Sequence, residues 1–224
     1  MSMTLIWLAC LIVPLGLGLW AQRRVKTTFA RYSEVSVRSG MTGAQAAAAV
    51  VRASGLPDVE IRFVEGTLTD HYDPRSRTLN LSADVGRAST VAALGVAAHE
   101  AGHAIQDARS YLQMRVRQTI VPVASIGSSA AVPVIFLGLI LGVTGLTTIG
   151  LALFTTIVVF QLVTLPVEFD ASRRALVALT DGRLLEADEL TGAKKVLGAA
   201  AWTYVAAFVA SVAQLLYFFL QSRR

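Results

Sequence analysis

Two histidines and a glutamate stand together in His99-Glu100-Ala101-Gly102-His103, inside a run that reads as a helix. Four residues apart on a helix, two imidazoles lie one above the other on a single face. That spacing offers two nitrogens to one tetrahedral Zn²⁺. Glu100 follows the first histidine directly, where its carboxylate can reach a water on such a metal. Zinc lowers the pKa of that water towards neutrality and the glutamate takes its proton, which is the chemistry of a metal-dependent peptidase. Histidine is scarce in this chain, and two of its three copies fall in the motif. An accidental match on an ordinary helix is therefore the less economical reading.

A catalytic zinc needs a third protein ligand and an open position. Cys10 lies in an apolar run and His71 in a turn well before the motif, so neither is an easy choice. The segment Leu165-Pro166-Val167-Glu168-Phe169-Asp170-Ala171-Ser172-Arg173-Arg174-Ala175 offers two carboxylates just after a long apolar run. Glu168 is the better candidate, because a carboxylate at the end of a hydrophobic span is costly without a partner. Asp170 is the rival two residues on.

The elements that must position these residues belong to a membrane protein. The chain is 54% hydrophobic and only 16% charged, with a mean hydropathy of +0.58. Four apolar runs, 4–20, 119–142, 146–167 and 199–220, are long enough to span a bilayer. Gly138 and Gly142 form a GxxxG pair that lets helices approach closely. The first run has no basic residue before it, while Arg23, Arg24 and Lys26 follow at once, so it reads as an uncleaved anchor. The single cysteine, Cys10, excludes an internal disulfide framework and reads as a small buried apolar residue.

Sidedness follows from charge. Lys and Arg number 13 in residues 22–118, five in 168–198 and two at the C-terminus. If the first run crosses outwards to inwards, and the second and third form a hairpin, both basic segments face the cytoplasm, as the positive-inside rule expects. The N- and C-termini are then outside. The net charge of +5 is accounted for in this way, and no basic patch interleaved with aromatics argues for nucleic acid.

Local patterns fill in the rest. Residues 41–54 read as a helix capped by Thr42 and stopped by Gly55 and Pro57. Residues 60–64 and 78–82 alternate as strands do, and residues 70–75 read as a turn-rich loop. Ser89 or Thr90 caps the motif helix, whose first turns are small or aliphatic, as in a helix buried all round. Residues 171–198 read as one or two short amphipathic helices outside the membrane. The strand 78–82 is a candidate to bind peptide by edge addition, or serves only as a structural hairpin strand.

The pairing of HEAGHAIQ with LPVEFDASRRA, together with DHYDPRSRTLNLS before the motif and GAKKVLGAAAWTYVAA near the C-terminus, resembles the YugP-type neutral zinc metallopeptidases of bacterial membranes. HtpX-type and CAAX-prenyl membrane proteases are more distantly similar. By position, the resemblance implies His99, His103 and Glu168 as zinc ligands and Glu100 as general base. The distant group usually carries an Asp four residues after the ligand Glu, to orient a zinc histidine. Ser172 stands at that place here, so Asp170 or Asp107 becomes a candidate for the task. His71, Tyr72, Arg173 and Arg174 are candidates to stabilise an oxyanion, set against plainer roles as loop or interfacial residues.

The expected fold is an α-helical integral membrane protein with four transmembrane helices plus a small α+β zincin-like zinc-peptidase unit. Residues 4–20 form the first transmembrane helix and 22–118 the membrane-adjacent zincin-like region with the HExxH helix. Residues 119–167 form a transmembrane hairpin, 168–198 the third-ligand and amphipathic segment, and 199–220 the fourth transmembrane helix. The expected activity is hydrolysis of membrane or membrane-adjacent polypeptides at the cytoplasmic face of a bacterial inner (plasma) membrane, with Zn²⁺ as cofactor. Two alternatives are a zinc-stabilised membrane adaptor without catalysis and a site-2-type intramembrane protease. Thr180-Asp181-Gly182 invites the latter, but Arg183 and Glu186 flank it and it reads as a turn.

Overall fold

The computed structural model describes residues 3–223. The protein is mostly helical, with a small mixed sheet. Helix α1 is Met3–Ser33, α2 Gly43–Ala53, α3 Ala83–Gly86, α4 Val91–Ala108, α5 Leu112–Leu141, α6 Thr144–Asp181 and α7 Ala187–Gln221. Strands β1 (Glu60–Val64), β2 (His71–Asp73) and β3 (Thr78–Ser82) lie between α2 and α3. Among the described residues four helices, α1, α5, α6 and α7, are long and apolar enough to cross a membrane.

The chain divides into two compact units. One gathers α1 as far as Gln22, residues 115–166 and α7 from Trp202. Its helices leave large aliphatic side chains bare, among them Ile126, Ile140 and Leu141, as lipid-facing helices do. Ala131, Ile135, Phe154 and Phe218 form its centre. Trp20 and Trp202 meet edge to face with ring centroids 5.4 Å apart. The hairpin turns at Gly142, whose φ of 66° is the left-handed conformation that glycine adopts without strain after a helix. Gly138, its GxxxG partner, faces Thr147 so closely that a Cβ would lie 2.4 Å from the hydroxyl.

The other unit comprises residues 23–114 and 167–201. Its core is built around α4, where 14 of the 18 residues are buried. Thr90 caps this helix, its hydroxyl accepting the Ala93 N–H at 3.3 Å, a contact typically worth about 1 kcal/mol. Helix α2 begins with a reciprocal capping box. The Thr42 hydroxyl accepts the Gln45 N–H, and the Gln45 side chain accepts the Thr42 N–H at 2.9 Å. Leu79, Leu81, Val85, Val91 and Leu94 are fully buried, each such side chain contributing roughly 1.5–3 kcal/mol of apolar burial.

The sheet has the order β1-β3-β2, parallel between β1 and β3 and antiparallel between β2 and β3. Two expectations change here. The segment expected as a turn-rich loop contains β2, whose three residues pair Tyr72 with Leu79 in register. Pairing to a preformed neighbour outweighs the turn preference of the surrounding Asp and Pro residues. Strand β3 is central and flanked on both sides, so it has no free edge to which a peptide could add.

The segment expected as separate amphipathic helices is also different. Helix α6 runs unbroken through Pro166 and Glu168 to Asp181, and α7 starts at Ala187. Asp170 pairs with Arg173 and Arg174, three and four residues on, which supports the helix where it turns polar. Asp188 and Glu189 occupy the first turn of α7, where the helix dipole favours acids. The Glu189 carboxylate accepts the Glu186 N–H at 2.8 Å and the Arg38 N–H at 2.8 Å. Asp181 closes α6 and Gly182 begins a turn, as the sequence suggests.

Candidate metal centre

Helix α4 presents His99 and His103 on one face, their rings edge to face with centroids 4.7 Å apart. Helix α6 brings Glu168 against them. Its Oε2 lies 3.2 Å from His99 Nε2 and 3.6 Å from His103 Nε2. Ligand atoms of the three residues lie within 4.8 Å of one another. Glu168 is 3% exposed and His103 7%. An isolated carboxylate at that depth is costly, and the two imidazoles are its compensation.

The close approach depends on Gly102. A Cβ on this residue would stand 2.5 Å from the Ala171 carbonyl oxygen of α6. A residue without a side chain, placed between the two halves of the motif, lets the backbones meet.

Side chains behind the histidines fix how the rings present themselves. Ser172 Oγ lies 3.1 Å from His99 Nδ1, so the serine one turn after Glu168 meets a motif histidine. Gln106 Oε1 lies 3.0 Å from His103 Nδ1. The sequence motif does not include Gln106, but its place three residues after His103 puts it on the same face of α4. Asp170 reaches this network through Gln106, whose Nε2 donates to Asp170 Oδ2 at 2.9 Å. Asp107 accepts from the Tyr72 hydroxyl at 3.0 Å.

Glu100 is 8% exposed, and its Oε2 accepts the Tyr72 backbone N–H at 3.0 Å. Strand β2 therefore touches the motif glutamate through its backbone. Burial, with Asp107 beside the hydroxyl, pushes the Tyr72 phenol well above its ordinary pKa. Burial disfavours the charged form of His103, but hydrogen bonding to Glu168 and the nearby Glu100 carboxylate outweigh it. The pKa of His103 accordingly lies above the usual histidine value.

Other candidates are placed elsewhere. His71 pairs in register with Asn80, on the sheet face opposite Tyr72 and Leu79. Its ring nitrogens meet the Thr69 carbonyl at 2.9 Å and the Asn80 amide at 3.2 Å. Arg173 and Arg174 both donate to Asp170, and Arg174 also lies over the Tyr111 ring at 5.6 Å. His99, His103, Glu168 and Glu100 are thus gathered, with Tyr72 and Asp170 attached through hydrogen bonds, whereas the His71 ring is held by Thr69 and Asn80.

The donor set can be tested against a metal. Two imidazole nitrogens and one carboxylate oxygen form the N₂O set of catalytic zinc sites. The amide nitrogen of Gln106 faces the carbonyl oxygen of Val167 and the carboxylate of Asp170, which accept only. Its oxygen must then face His103, and it can only accept a proton from Nδ1. In the neutral ring Nε2 is left as an acceptor that faces the carboxylate of Glu168. Two buried acceptors directed at each other call for a proton or a metal cation between them, and the donor set fits Zn²⁺.

Comparison with known proteins agrees with this chemistry. The chain is 46% identical over 208 residues to "Putative membrane protease YugP" of Bacillus subtilis (strain 168), covering 92% of each protein. No solved structure matches the chain. The profile of one family, described as "Putative neutral zinc metallopeptidase", matches residues 7–223. Matched over almost its whole length, this chain belongs to that family.

Proposed function

We propose that the protein is a multi-pass membrane zinc metallopeptidase, with His99, His103 and Glu168 as ligands and Glu100 as general base in a zincin-like unit. The observation that carries this reading is the convergence of Glu168 on the two motif histidines, from a helix far away in the chain. Bound by these residues, zinc supplies Lewis acidity toward the scissile carbonyl and acidifies a water molecule.

The chain's own groups do the rest. Glu100 takes the proton of the attacking water and returns it to the leaving amine nitrogen, and the Tyr72 N–H holds one of its oxygens. Ser172 and Gln106 hold the two imidazoles from behind. Glu168 completes the ligand set and balances the positive charge.

The substrate is a polypeptide in or beside the bilayer, a reading supported by the family and by the four apolar helices. The basic excess of residues 22–118 and 168–198 supports a cytoplasmic site in a bacterial inner membrane, with both termini outside. The test is metal dependence. The purified protein in detergent should cleave an unfolded protein substrate, lose that activity to a chelator and regain it on adding Zn²⁺. Chelator-resistant cleavage, or none after zinc is restored, would count against the reading.

A further inference from the structure

We infer that Gln106 is a positioning residue that fixes His103 and Glu168 together, and that it transmits the charge of Asp170 to the metal site. The inference rests on the zinc reading above and adds to it a residue outside the motif.

The amide is fully buried. A primary amide in such a place must satisfy two donor hydrogens and one acceptor oxygen. Gln106 does so with three partners. Its nitrogen donates to the Val167 carbonyl at 2.8 Å and to Asp170 Oδ2 at 2.9 Å. Its oxygen accepts from His103 Nδ1 at 3.0 Å. The orientation is dictated, because reversing the amide would set its oxygen against two acceptors.

Two consequences follow. The amide fixes the tautomer of His103, so that Nε2 is the nitrogen turned to Glu168. It also grips the backbone carbonyl of Val167, the residue before Glu168. One side chain thus holds one ligand by its ring and the other by its main chain.

Behind the amide stands a charge network. Asp170 is buried and takes N–H groups from Arg173, Arg174 and Gln106. A carboxylate pulling on the amide N–H makes the amide oxygen a stronger acceptor, and that in turn makes His103 Nε2 more basic. The neutral amide passes on this effect without setting a third carboxylate directly against Glu100 and Glu168.

The experiment is a double-substitution cycle read by zinc affinity, using the full chain in detergent and competition with a chelating dye. Gln106→Met preserves size and removes all three contacts. It should weaken zinc binding about 10- to 100-fold, the usual effect of losing such a partner. Asp170→Asn should weaken it less, and the double variant should bind about as weakly as Gln106→Met alone, since both act along one path. Independent packing roles would give additive losses, and that result would overturn the transmission claim. Zinc affinity within about twofold of the unsubstituted protein in Gln106→Met, with His103→Ala losing zinc, would overturn the role of Gln106 and leave the zinc site standing. Unaltered zinc binding in His103→Ala would overturn the zinc reading itself. Should Gln106→Met not fold, Asp170→Asn alone decides the matter: weakened zinc binding supports the relay and unchanged binding overturns it.

Discussion

Gly102 and Ala171 meet backbone to backbone: a Cβ on Gly102 would lie 2.5 Å from the Ala171 carbonyl oxygen. Gly102 sits between Glu100 and His103 on α4, and Ala171 lies three residues after Glu168 on α6. The contact therefore sets the distance between the motif and the carboxylate that joins it.

Gly102→Ala should force the helices apart. Overpacking of this kind typically costs about 1–3 kcal/mol, and the obstacle here is backbone, which cannot rotate away. Zinc content should fall along with thermal stability in detergent. A variant with unchanged melting and full zinc would mean that α4 and α6 can separate without harm to the site.

Glu168→Ala should lower zinc occupancy far more than Asp170→Ala. Losing Glu168 leaves two imidazoles, which hold zinc weakly. Losing Asp170 removes no ligand, only the charge behind Gln106 and the partner of Arg173 and Arg174. Metal content per purified chain, with folding checked by gel filtration, separates the two. If Asp170→Ala loses zinc and Glu168→Ala keeps it, the ligand assignment is wrong by two residues.

The candidate site is more legible in the sequence than its support. The His99 and His103 spacing needs only a helix, and Thr90 and the aliphatic turns that follow it announce one. Glu168 drew notice as a charge at the end of an apolar run. The strand at His71–Asp73 was hidden because its stability is tertiary: it rests on β3 and on the bond from Tyr72 to Glu100. That β3 is the central strand is likewise a matter of pairing between distant residues, which no local pattern records. The polar stretch after Glu168 read as a break from the membrane helix, yet the Asp170 pairs keep α6 continuous. Gln106 carries a usable signal, its three-residue step from His103, but an amide at that spacing announces no chemistry by itself.

A topology test follows from the charge count. Single cysteines at the exposed positions 30 and 186, introduced into a chain with Cys10 replaced, should react with an impermeant reagent only from the cytoplasmic side. Labelling of the two positions from opposite sides would break the four-span arrangement. Glu168 would then need another route to the motif.

The most direct measurement is made on Glu100→Gln. Glutamine keeps the size and the acceptor for the Tyr72 N–H but cannot take a proton. The purified variant should carry as much zinc as the unsubstituted protein while peptide hydrolysis falls roughly 10²- to 10⁴-fold. Hydrolysis near the original rate, with zinc still bound, would contradict the assignment of Glu100 as the base and with it the proposed mechanism.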